Sequence, residues 1–181
     1  MSEYQYVAFR AVDRPLTDAE LDFARRQSTR ADISRWSLRN EYHYGDFRGD
    51  VKGLLRHGYD VFLHYADFGV RIAAFRLPGG FPFPKSVWQP YLANAPLTWE
   101  QDRTGKAGLL SIRPYFEPGD LEDFGDLDKS MDGLVEVRKR LIAGDLRALY
   151  ALWLCAVTAD QETDADVIEP PVPGGLSECG G

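Results

Sequence analysis

Residues 33–45 read ISRWSLRNEYHYG, and the fold class turns on which way their side chains point. At a two-residue period, Trp36, Leu38, Tyr42 and Tyr44 share one side, with Asn40 among them. Arg35, Ser37, Arg39, Glu41 and His43 share the other. A strand of that kind rests one face on a core and leaves the other in water. A strand inside a doubly covered parallel sheet would be apolar throughout. The stretch therefore favours an α+β fold, with helices on one face of a mixed sheet, over parallel strands joined by crossovers.

Working outward, residues 45–50, GDFRGD, carry turn chemistry, and Asp50 is placed to cap a helix over 51–66. Val51, Leu54, Leu55, Gly58, Phe62 and Tyr65 recur there at helical spacing, although Gly53 and Gly58 each cost ~1 kcal/mol against alanine. Upstream, residues 4–12 (YQYVAFRAV) read as a strand, with Val7, Phe9 and Ala11 on one face and Tyr4, Tyr6, Ala8 and Arg10 on the other. Thr17 and Glu20 form a capping box, Leu16 and Leu21 a hydrophobic staple, and the helix they open ends near Gln27–Ser28.

Downstream, residues 69–78 read as a strand stopped by Pro78, and 86–96 as a short helical turn broken by Pro90. Residues 97–116 read as a hairpin around a Thr-Gly-Lys turn, and 117–132 as an acidic loop. A helix over 133–143 stops at Gly144. Asp145 caps a last helix so evenly apolar that burial all round is expected. The order is β-α-β-α-β, a hairpin, then two helices. Residues 1–160 make one α+β domain, and 161–181 a Pro/Gly-rich acidic linker or tail.

The composition is that of a soluble globular chain: 181 residues, 44% hydrophobic, 13% aromatic, net charge −7. Residues 1–91 carry 13 Lys/Arg against 11 Asp/Glu, and the rest carry 8 against 17. The basic balance of many nucleic-acid binders is missing. Of two cysteines, Cys155 reads as a small buried hydrophobe and Cys179 lies in the glycine-rich terminus, so no disulfide or zinc framework is expected. The N-terminus has no signal-peptide pattern. The longest apolar run, residues 148–157, is about half of a membrane span. A cytoplasmic protein without membrane contact is expected.

Three constellations carry possible chemistry. Glu41, His43, Asp46 and Asp50 offer carboxylates and an imidazole for a metal or a general base, against the plainer reading of a polar strand face and a capping turn. On the expected second helix, Arg56, His57, Asp60 and His64 fall at i,i+4 spacing, which suits an acid–imidazole pair or a surface ion-pair ladder. Third, Tyr4, Tyr6, Tyr42 and Tyr44, with Trp36, lie on strands with Arg35 and Arg39 nearby. Such rings and guanidiniums stack unpaired bases or anchor protein partners. The acidic loop lacks the spacing of a calcium loop, and residues 169–173, EPPVP, have polyproline character in what reads as a linker.

Residues 3–17 (EYQYVAFRAVDRPLT), 40–50 (NEYHYGDFRGD), 144–154 (GDLRALYALWL) and 169–173 together resemble a group of bacterial hypothetical proteins, over most of the chain. The resemblance implies the N-terminal part of a longer protein, with PPVPGGLSE at a junction, from which the final CGG departs. It supplies no catalytic residue. The reading that follows is a non-catalytic protein-interaction module without a cofactor. Its partner would be another protein or a downstream domain. Single-stranded nucleic-acid binding is the alternative, and a metal-assisted hydrolase using Glu41, His43 and Asp46 the third.

Overall fold

The computed structural model describes residues 4–93, 97–113, 127–158 and 169–174. In chain order the elements are β1 (Gln5–Arg10), α1 (Asp18–Gln27), β2 (Asp32–Ile33), β3 (Ser37–Tyr42), α2 (Val51–Arg56), β4 (Val61–Ala66) and β5 (Val70–Leu77). There follow α3 (Lys85–Leu92), β6 (Leu97–Gln101), β7 (Gly108–Ile112), α4 (Leu127–Ile142) and α5 (Leu146–Thr158). The strands form one sheet in the order β2-β3-β1-β4-β5-β7-β6, and each neighbouring pair is antiparallel. The fold is α+β as expected. The sheet, however, is not mixed, and helices cover both of its faces rather than one.

Two separate cores show this. Val7, Phe9, Leu38, Phe62 and Ala74 face α1 and α2, whose Leu21, Ala24, Leu54 and Leu55 are buried against them. Tyr6, Ala8, Leu63, Phe75 and Leu110 face the other way, against Tyr91 of α3, Met131 and Leu141 of α4, and Leu149 and Leu152 of α5. Strands β1 and β4 are therefore apolar on both faces because they lie between two helical layers, not because the sheet is parallel. Each fully buried Leu or Phe side chain contributes about 1.5–3 kcal/mol.

The expected helix over 51–66 is instead two elements. Asp50 caps α2 as read, its Oδ1 accepting from the Gly53 amide at 2.9 Å, but the helix ends at Arg56. Gly58 has φ +120°, and a Cβ there would collide with Leu16 and Glu20, so the chain turns at this point. The aromatic and β-branched residues that follow form the central strand β4. The expected strand over 33–45 is likewise split by a turn at residues 34–36, where the Ser34 hydroxyl accepts from the amides of Trp36 and Ser37. Within Ser37–Tyr42 the alternation holds: Leu38 is buried on the α1 side, while Arg39 and Glu41 face out on the other.

Half of the expected capping box forms on α1: the Thr17 hydroxyl accepts from the Glu20 amide, while the Glu20 carboxylate accepts from that hydroxyl rather than from the Thr17 amide. The hairpin read over 97–116 forms, its residues 114–116 lying outside the described residues. Helix α4 begins at Leu127, inside the stretch read as an acidic loop, whose remaining residues, 117–126, lie outside the described residues. Helix α5 buries only one side. Leu154 and Cys155 are exposed, which overturns the buried reading of both the helix and the cysteine.

Helix α4 carries its apolar stripe on Met131, Leu134 and Leu141, and Arg138 sits in that stripe, 1% exposed. Its Nε donates to the Arg76 carbonyl of β5 at 2.8 Å. Its other nitrogens donate to both Asp13 carboxylate oxygens (2.9 and 2.7 Å) and to Asp60 Oδ1 (3.2 Å). Asp60, also buried, accepts through Oδ2 from the amides of Val12 (2.6 Å) and Asp13 (3.1 Å). Arg138 also holds the Asp13 carboxyl below the usual carboxylate range. Asp13 therefore contributes stability above its unfolded pKa, and that contribution is lost as pH falls through the folded value.

Replacing Arg138 with alanine strands the Asp60 carboxylate and is expected to cost about 3–5 kcal/mol. Asp132→Asn cuts the exposed Arg10–Asp132 pair and is expected to cost under about 1 kcal/mol. Urea unfolding of the two variants at neutral pH measures both, and equal small losses would refute the anchoring role of Arg138.

Candidate functional site

The C-terminal end of α1 and the loop between β3 and α2 meet in a groove of ≈ 460 Å³. The Ser28 hydroxyl turns the chain after α1 by accepting from the Arg30 and Ala31 amides. The loop is held at both ends by glutamine side chains. Gln27 of α1 accepts from the Asp50 amide at 2.9 Å. Gln5 of β1, 1% exposed, donates to the Gly45 carbonyl (3.2 Å) and to Asp46 Oδ1 (2.9 Å). Phe47 fixes the middle of the loop, its ring 6.0 Å from Phe9 in the core.

On this framework stand Arg26, Arg30 and Arg48, with Tyr42 half-buried and Tyr44 80% exposed. Among the described residues none of these three guanidiniums has a carboxylate partner. Arg26 lies over the Phe23 ring at 5.9 Å. Among the described residues the one carboxylate in the groove, Asp46, is already engaged by Gln5.

The residues singled out in the sequence are distributed differently. Glu41 is exposed on the opposite face of β3. The exposed His43 ring lies 5.7 Å from Tyr4, and Asp50 is an N-cap, so Glu41, His43, Asp46 and Asp50 serve four separate roles. No group of three His, Cys, Asp or Glu able to hold a metal occurs among the described residues. Tyr4 is half-buried, and burial, with help from Glu41, pushes its phenol up. Tyr6 is buried in the core, its hydroxyl 3.4 Å from Asp128 of α4. Arg39 pairs with the same Asp128, and Arg35 pairs with Asp18 and donates to the Leu16 carbonyl. Of the expected binding residues, only Tyr42 and Tyr44 line the groove.

The helical constellation also disperses. Arg56 pairs with Glu100 and Asp102 of the β6 edge. His57 closes α2, its Nδ1–H donating to the Gly53 carbonyl at 2.7 Å and its ring stacked on Phe23 at 4.1 Å. Asp60 holds Arg138. His64, on β4, donates from Nε2 to Gln5 Oε1 at 3.0 Å, since both amide hydrogens of Gln5 are spent on Gly45 and Asp46. A hydrogen-bonded chain thus runs from His64 through Gln5 to the groove.

The sequence did not reveal Arg26, Arg30 and Arg48 as a group, because nothing local places the end of α1 beside residues 42–48. Gln5 was hidden inside an otherwise ordinary strand pattern. No protein-family model, curated protein or solved structure matches the chain.

Burial lowers the His64 pKa, with the Asp46 charge opposing and Arg113 reinforcing the shift. The folded imidazole therefore stays neutral where the unfolded one takes up a proton. Its stabilising contribution is complete above ~6.5 and is lost as pH falls from there toward the folded pKa. An imidazole NMR titration is expected to give a midpoint below 6.5 for His64. Unfolding free energies at pH 7.5 and 5.5 should differ less in His64→Gln than in the parent chain, and an equal difference in both would contradict the assignment.

Proposed function

We propose that this chain is a non-catalytic protein-interaction module, and that the groove between α1 and the β3–α2 loop takes an acidic, aromatic-bearing segment of the partner. One observation carries the reading: Arg26, Arg30 and Arg48 gather beside Tyr42 and Tyr44 without a carboxylate partner among the described residues, whereas Arg10, Arg14, Arg35, Arg39, Arg56, Arg76 and Arg138 each have one and the other arginines without one, Arg25, Arg103 and Arg113, do not line the groove. A guanidinium binds carboxylates through paired N–H donors and stacks on flat groups, and arginine and tyrosine dominate the energetics of protein interfaces. The glutamine clamps hold the loop that carries Tyr44 and Arg48 in place before a partner arrives, which lowers the ordering cost of binding.

Fluorescence anisotropy with a short dye-labelled Glu/Tyr peptide and a labelled oligo-dT of matched charge separates the readings. The peptide is expected to bind the full chain more tightly than the oligonucleotide. Reversing Arg26 and Arg48 to glutamate should weaken it by roughly tenfold or more. Arg39→Ala, which lies outside the groove, should change it less than about twofold. Tighter oligonucleotide binding with a steep salt dependence would replace this reading by the nucleic-acid one. Peptide binding indifferent to Arg26 and Arg48 would end it.

A further inference from the structure

Residues 169–174, read in the sequence as linker, lie against the domain in a pattern with a period of three. Pro170 and Pro173 are buried, while Glu169, Pro171, Val172 and Gly174 are exposed. A strand would bury alternate residues, and prolines cannot sustain a helix. A polyproline-II helix has three residues per turn and brings positions i and i+3 to the same side. That conformation makes no internal hydrogen bonds, so its carbonyls are left for outside donors. One such donor is present: the Tyr91 hydroxyl, on a side chain 1% exposed, donates to the Pro171 carbonyl at 2.8 Å. A second tyrosine, Tyr150 of α5, donates to Glu169 Oε1 at 2.8 Å and so reads the residue preceding the prolines. Both hydroxyls belong to helices that carry further rings. The Tyr150 ring stacks on Trp153, and Trp88, one turn before Tyr91 on α3, stacks on Phe81.

From this we infer that the face formed by α3 and α5 is a recognition site for a proline-rich peptide in the polyproline-II conformation, filled in this chain by its own residues 169–173. Aromatic side chains that pack on proline rings and donate to the freed carbonyls are the usual means of reading such peptides. The prolines are already stiff, so little chain entropy is lost when they dock. Ten residues, 159–168, separate the end of α5 from Glu169. Covalent attachment at that separation in sequence gives the segment an effective concentration on the order of millimolar. A site of only modest intrinsic affinity therefore stays filled in cis, and a competing peptide meets an occupied groove.

The test uses the full chain and a dye-labelled peptide of residues 169–174. Pro170→Ser combined with Pro173→Ser empties the groove without touching α3 or α5. The peptide should bind that variant at least tenfold more tightly than the parent chain, and adding Tyr91→Phe should weaken it severalfold. A peptide with both buried prolines replaced by alanine should not bind. A protease site placed within residues 159–168 of the otherwise unchanged chain gives an independent readout. After cleavage the labelled peptide should exchange into the groove, and before cleavage it should not. Equal binding to the parent chain and the emptied variant, binding to neither the emptied variant nor the cleaved chain, or indifference to the proline replacements would each overturn the inference.

Discussion

One arginine ties α4 to the sheet at a single position. Arg138 leaves the apolar stripe of α4 and ends on Asp60, Asp13 and the Arg76 carbonyl, which belong to the approach to β4, the turn after β1, and β5. A guanidinium this deeply buried is tolerable only when its donors are met. Here the Asp60 carboxylate that meets it is itself fixed by the Val12 and Asp13 amides. The arrangement ties the exit of β1 to the entry of β4, its partner in the sheet, and pins α4 across both. An apolar contact would hold α4 against the sheet as firmly but would allow it to slide, whereas directional hydrogen bonds specify one position.

At the β3 edge the first turn of α4 meets the sheet through the Arg39–Asp128 pair, and Arg39 and Glu41 stay polar and exposed there. The opposite side of β3 lies under α1, and there the chain has put its groove. Most described arginines are neutralised by a neighbouring carboxylate, an arrangement that stabilises little at an exposed surface. Arg26, Arg30 and Arg48 depart from that habit in a place where two glutamine clamps have already fixed the loop. Charge left unpaired on a fixed framework is available to something outside the chain.

The proline-rich segment illustrates the same principle with apolar groups. Tyr91 of α3 and Tyr150 of α5 offer hydroxyl donors to a short proline-rich run that begins ten residues beyond α5. Because Tyr91 is buried, its hydroxyl needs an acceptor, and the Pro171 carbonyl provides one that a regular helix or strand would have kept for itself. A stretch that composition marks as a spacer thereby becomes part of the folded surface.

Local chemistry in the sequence determined a good part of this molecule. The cap at Thr17, the cap at Asp50, the end of α4 at Gly144, the hairpin turn and the alternation of Ser37–Tyr42 all depend on neighbours a few residues apart, and all are where the sequence puts them. The run after Gly58 was misread because Val51, Leu54, Leu55, Phe62 and Tyr65 fit a helical period as well as they fit a short helix followed by a buried strand. Sandwiching a strand between two layers erases the alternation that would reveal it. Arg138 carried a readable signal, a charge within an apolar stripe, but not the identity of its partners. The antiparallel order of the sheet, the second helical layer, the gathering of Arg26, Arg30 and Arg48 beside Tyr42 and Tyr44, and the docking of residues 169–173 were decided by tertiary structure alone. Each brings together residues tens of positions apart, and no local propensity encodes that proximity.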